Sequence, residues 1–139
     1  MENMDESYKR LIQEAREVIT LRFKQDHHHI GAALITTTGK VYRAVHVEAY
    51  VGRVTVCAEA VAIGMAAADG DTEIAAIVAV DRHGRIVAPC GLCREMISDY
   101  APNAKVILAE DQVVPILDLL PFKYVRNLEA VVGFDPPQS

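Results

Sequence analysis

Three cysteines and one glutamate are the residues of this chain best suited to chemistry. Cys57 stands two positions before Glu59, and Cys90 and Cys93 follow at a three-residue step inside PCGLCREM, residues 89–96. Thiolates gathered at one place bind zinc. A structural zinc is normally closed by four protein ligands, whereas a catalytic zinc keeps its fourth position for water. The sequence holds no fourth cysteine. A histidine, from among His27, His28, His29, His46 and His83, could still close the shell, although none stands at a zinc-finger spacing from a cysteine. Two plainer readings stay open: a buried cysteine acting as a small hydrophobe, and the C-x-x-C pair acting as a redox couple. Glu59 weighs against both, because its neighbours are Ala, Val, Ile and Met, and a carboxylate among such residues is costly unless paired or used. Beside a metal it could take a proton from water and pass it to a substrate nitrogen. It could also simply complement a helix N-terminus.

These residues need elements to position them. Tyr8, Leu11, Ile12, Ala15, Val18 and Ile19 recur at steps of three and four, which predicts an amphipathic helix over 6–23. Residues 28–50 switch to short apolar and β-branched runs around Thr38-Gly39-Lys40, a hairpin. Residues 56–70 are apolar or small on nearly every side and end at Asp69-Gly70, as a buried helix would. Residues 73–80 are continuously apolar, which suits a central strand buried on both faces. After a turn at 82–84 and a brief extended piece, a helix is predicted over 91–101 and a strand over 104–110. A short helix over 114–121 has Pro115 near its start, and a frayed tail covers 133–139. The order α-β-β-α-β-α-β-α implies one domain over 1–139, an α/β fold with helices on both faces of a mixed sheet. Cys57, Cys90 and Cys93 then all open helices, where partial positive charge favours thiolates, and the two helix starts can meet at one sheet edge.

Composition narrows the partners. Hydrophobic residues make up 51% and charged residues 24%, net charge is -5, and no apolar run is long enough to span a bilayer. Lys and Arg are scattered, which argues against nucleic acid as the main partner and for a small substrate, with no membrane partner. The acidic, polar N-terminal residues lack the pattern of a signal peptide, so a cytoplasmic location is expected, where thiols stay reduced.

Cys57-Ala58-Glu59 followed, 33 positions after Cys57, by Pro89-Cys90-Gly91-Leu92-Cys93-Arg94 resembles the zinc nucleoside deaminases of the cytidine deaminase family. The likeness extends to Ile30-Gly31-Ala32-Ala33, to Val47-Glu48 and to Leu119-Leu120-Pro121, and covers roughly residues 6 to 125. It implies a three-layer α/β/α sandwich on a mixed five-stranded sheet, assembled as a homotetramer with shared active sites. It also implies Zn2+ held by Cys57, Cys90 and Cys93, with Glu59 as proton shuttle. Activated water would attack the amine-bearing carbon of a cytosine ring, Glu59 would protonate the ring nitrogen and then the leaving amine, and ammonia would depart. Glu48 matches a sugar-hydroxyl acceptor. Ala58 lies within the substrate-binding stretch, and Tyr124 takes the place of an aromatic near the base, sharing that position with a plain reading as interface packing.

The departures fall in two groups. Ala60 replaces an arginine that offsets the thiolates, and Glu95 replaces a glutamine, so the charge around the metal is more negative unless Arg94, Arg53 or the helix termini compensate. His46 replaces an asparagine expected at the ribose, and His28 stands where a phenylalanine packs on the base. The run Cys57-Ala58-Glu59-Ala60-Val61 with Gly64 also resembles the blasticidin S deaminase branch, whose substrate is a modified cytosine nucleoside antibiotic. The resemblance therefore implies deamination of a free cytosine nucleoside or analogue. A non-catalytic zinc-binding relative is the alternative that Ala60 and Glu95 suggest.

Overall fold

The computed structural model describes residues 5–126; the tail expected over 133–139 lies outside them. Helix α1, Glu6–Arg22, starts where the Asp5 side chain accepts a hydrogen bond from the Ser7 N–H, with Glu6 in the first turn and Arg22 in the last, both complementing the helix dipole. Its buried stripe of Leu11, Ile12, Ala15, Val18 and Ile19 follows the spacing of the sequence. A hairpin follows, β1 (Gly31–Thr36) and β2 (Val41–Val45), then α2 (Ala58–Ala68), β3 (Ile74–Val80), the two-residue β4 (Ile86–Val87), α3 (Gly91–Tyr100), β5 (Lys105–Ala109) and β6 (Gln112–Pro115).

The sheet runs β2-β1-β3-β5-β6, with β4 paired to β3 outside this path. Only β3 and β5 are parallel, and α3 lies in the crossover between them. Ala76, Val78 and Val80 of β3 pack with the α1 stripe, while Ile74 and Ile77 pack with Ala62 and Ile63 of α2 and Ile97 of α3. Central β3 is thus buried on both faces, and α1 covers one side of the sheet while α2 and α3 cover the other. The contact between α1 and β1 is close: a Cβ at Gly31 would stand 2.6 Å from the Ala15 carbonyl oxygen.

Two expectations need correction. The sheet has six strands among the described residues, not five, because β4 is added to the five-strand path. The segment expected as a helix from Val114 is instead the end of edge strand β6 followed by a 3-10 turn at Ile116–Leu119. Pro115 ends the strand because it has no N–H to continue a ladder, and a helix needs more residues than remain before Pro121.

Candidate metal centre and active site

Cys57 and Cys90 are the N-cap residues of α2 and α3, and Cys93 lies in the first turn of α3. Neither N-cap side chain makes a capping hydrogen bond, so both sulfurs are free to turn toward each other. Ala58, the first residue of α2, packs its methyl against Ala32 of β1 and Ala79 near the end of β3. This seats the start of α2 at the sheet edge from which β4 leads to Cys90.

The sulfurs of Cys57 and Cys90 are 3.6 Å apart, and all three Sγ atoms lie within 4.8 Å of one another. Tetrahedral thiolates at about 2.3 Å from zinc would stand roughly 3.8 Å apart, so the donor set and its spacing fit zinc. Among the described residues no histidine joins this group. His83 is exposed in its turn, its N–H donating to Asp81. The three sulfurs therefore leave a tetrahedral ion one position free of protein.

Burial pushes the Cys93 thiol well above its ordinary range, and the nearby charge of Glu59 adds to this. Burial also raises Cys57, reinforced by its contact with Cys90. For Cys90, burial acts upward, but the Cys93 backbone N–H and the neighbouring thiols outweigh it and bring the thiol down. A dication at the centre reverses the first two by stabilising thiolate. Glu59 is 6% exposed, on α2 beside this group but not part of it. Burial raises its carboxyl above the usual range, against a smaller opposing effect from its own backbone N–H. Arg94 ties down the cysteine loop, donating from Nε to the Pro89 carbonyl at 2.8 Å and from Nη1 to that of Leu119 at 3.4 Å. Ala60 is half-buried, Glu95 likewise, and Arg53 is exposed on a 3-10 turn.

The second part of the site is joined to the first by the backbone. Val47 and Val56 form an antiparallel bridge with both N–H···O distances at 2.9 Å. His46 and Cys57 are the residues flanking that bridge on the same side, so the pairing sets the segment 46–48 against the start of α2. The three consecutive histidines brace this segment. His28 donates from Nδ1 to the His46 carbonyl at 2.8 Å, the His29 N–H donates to His46 Nδ1 at 2.8 Å, and the Glu48 N–H donates to the His27 carbonyl at 3.0 Å. His46 Nε2 meets Glu48 Oε1 at 3.1 Å. His29 also packs on His46, with ring centroids 5.4 Å apart, and takes the edge of Phe23 on its other side.

His28, His46 and Glu48 are thus brought together, and Ala58 is buried at the metal side. Tyr124 is three-quarters exposed, and its ring takes part in none of these contacts among the described residues. His29, expected from the sequence only as a possible fourth zinc ligand, instead braces His46. The Asp26–His29–Glu48 gathering has ligand atoms within 4.8 Å of one another. It is a poor cation site, because His29 Nε2 already accepts the Asp26 N–H at 2.9 Å and the neutral ring has no second lone pair to give. An open cleft of about 670 Å3 beside Arg16, Arg82 and Arg85 contains none of the cysteines. Its arginines are occupied: Arg16 binds the Gly84 carbonyl and Glu110, Arg85 binds Asp81, and Arg82 stacks over Phe23.

Three converging sulfurs beside a buried carboxylate on an α/β fold fit a zinc-dependent hydrolase. Comparison with known proteins narrows this class. The family described as the cytidine and deoxycytidylate deaminase zinc-binding region matches residues 5–110. A blasticidin-S deaminase from Bacillus cereus is 46% identical over 136 residues, covering 90% of this chain and 97% of that protein. The crystal structure of a cytidine deaminase from Burkholderia pseudomallei, 32% identical, aligns with a TM-score of 0.72 over 84% of this chain and 98% of its own. That of Mycobacterium leprae, 25% identical, aligns with 0.76 over 84% and 99%. The chain belongs to the cytidine and deoxycytidylate deaminase family, and it is a zinc-dependent hydrolytic deaminase.

Proposed function

We propose that this enzyme deaminates a free cytosine nucleoside or a cytosine nucleoside analogue, consuming water and releasing the uracil nucleoside and ammonia. The observation that carries this reading is the convergence of three sulfurs beside the buried carboxylate of Glu59. Cys57, Cys90 and Cys93 hold the zinc, which when bound acts as a Lewis acid and makes water a nucleophile near neutral pH. Glu59 accepts a proton from the attacking water, delivers it to the ring nitrogen, and protonates the amine as the carbon–nitrogen bond breaks. Glu48 receives the sugar end of the nucleoside, His28 and Ala58 border the base, and Tyr124 serves the pocket of a neighbouring subunit.

A homotetramer is part of this reading. Tyr50, Val51, Val54, Leu92 and Phe122 are all more than half exposed on segments flanking the site, an amount of bare apolar surface suited to contact between copies. Three unpaired thiols suit the reducing cytoplasm. The 46% identity to a blasticidin-S deaminase favours a second reading, that the substrate is that modified nucleoside. Ammonia release from cytidine, deoxycytidine, 5-substituted cytosine nucleosides and blasticidin S tests both. Turnover of blasticidin S alone selects the second, and turnover of none refutes the substrate class.

A further inference from the structure

The substrate-binding segment contains an imidazole whose two ring nitrogens are both occupied. His46 Nδ1 faces the backbone N–H of His29 at 2.8 Å, and a backbone N–H can only donate, so Nδ1 presents its lone pair and the ring proton sits on Nε2. Nε2 faces Glu48 Oε1 at 3.1 Å and therefore donates to it. The His46 side chain is 11% exposed and its ring packs against His29, which leaves it little freedom to rotate away. A hydrogen bond from His46 to a ligand would break one of these two.

We infer that His46 is a specificity-determining positioning residue that acts through Glu48. It fixes Oε1 and leaves Oε2 as the acceptor presented to the substrate. This inference rests on the reading of Glu48 as the sugar contact. The Glu48 side chain is 39% exposed, so without a partner its carboxylate would sample several rotamers, and a hydrogen bond to a charged acceptor is a strong enough restraint to select one. An amide in place of the imidazole would show a ligand both a donor and an acceptor. His46 shows neither, so this end of the pocket accepts only. It selects cytosine nucleosides carrying a hydroxyl or a protonated nitrogen at the sugar, and rejects those lacking such a donor, because an unmatched carboxylate loses its water without replacement.

The tautomer is read directly from long-range proton–nitrogen NMR of the zinc-loaded enzyme labelled at histidine, assigned with His46→Asn. The expected spectrum has the proton on Nε2 of His46; a proton on Nδ1 overturns the inference. Kinetics on a nucleoside that the wild type turns over test the coupling. His46→Gln, whose amide nitrogen can occupy the Nε2 place, keeps KM within about threefold. His46→Asn, which cannot reach Glu48, raises KM roughly tenfold or more, with kcat changed far less. The effect of His46→Asn vanishes in a Glu48→Gln background, as it must if one residue works through the other. Equal KM effects of His46→Asn in both backgrounds overturn the inference. An enzyme that turns over no cytosine nucleoside refutes the proposed function instead, and the NMR still decides the tautomer.

Discussion

Glu59→Gln is the substitution that separates a proton-carrying glutamate from one that merely complements the helix dipole. Glutamine has the same shape and can still hydrogen-bond, but it cannot accept a proton from water and return it. General acid–base catalysis contributes about 10²–10⁴-fold per positioned group. In the proposed reaction Glu59 acts as base and then as acid in one turnover, which places its loss near the top of that range, so kcat should fall roughly 10⁴-fold, or about 5 kcal/mol in the barrier. Two features of the structure make the measurement clean. Glu59 is not among the three residues whose ligand atoms converge, so zinc content should be unchanged by elemental analysis. It is also 6% exposed among apolar neighbours, so replacing a carboxylate by a neutral amide should leave the thermal midpoint unchanged or higher. The assay is single-turnover and steady-state ammonia release at matched zinc occupancy. A kcat within about tenfold of wild type at full occupancy refutes the shuttle. Loss of zinc in the variant refutes the placement of Glu59 outside the ligand set.

Three further outcomes follow from other parts of the fold. Cys90→Ser should keep α3, since serine is a stronger N-cap than cysteine, yet lose most of the zinc by elemental analysis, and a chelator should lower the wild-type melting temperature toward that of the variant. Gly31→Ala forces its Cβ against the Ala15 carbonyl at 2.6 Å and the Ile19 Cβ at 2.9 Å, so it should cost about 1–3 kcal/mol in denaturant unfolding while sparing activity per folded molecule, because α1 lies on the face away from α2 and α3. Asp69 accepts hydrogen bonds from Lys40 at 2.6 Å and the Tyr42 hydroxyl at 2.9 Å, and these hold its carboxyl below the usual range. A depressed carboxyl adds stability that is present above the ordinary carboxylate range and lost as pH falls through that range and below, so Asp69→Asn should flatten the acid limb of a stability–pH curve, and it should flatten the alkaline limb as well, because the Asp69 hydrogen bond holds Lys40 above its ordinary range.

The cysteine cluster was legible because its convergence follows from residue type and spacing. Few residues other than a cysteine trio do what Cys57, Cys90 and Cys93 do, and the apolar run around Glu59 marks that carboxylate as out of place. The stripe of α1 and the unbroken apolar run of β3 were legible for a similar reason, since burial dictates their periods. Strand β6 was not, because four residues ending in proline carry no period, and the apolar residues after them suit a helix equally well. The histidine brace was invisible for a different reason. Its key donors are the backbone N–H groups of His29 and Asp26, aimed by a turn in which Asp26 has a φ of 67°, and backbone direction leaves no signature in residue type. His46 read as an altered substrate contact, whereas the fold turns its ring nitrogens toward His29 and Glu48.

The two-residue clasp between Val47 and Val56 ties off a loop next to the three-sulfur cluster. Residues 48–55 form a closed excursion whose two ends are stapled together at that bridge, so a change of length within 49–54 is absorbed before it reaches Cys57, whereas Glu48, on the loop side of the bridge, can shift with it. A loop tied off in this way can be rewritten over 49–54 while the three-sulfur cluster beyond the bridge keeps its place.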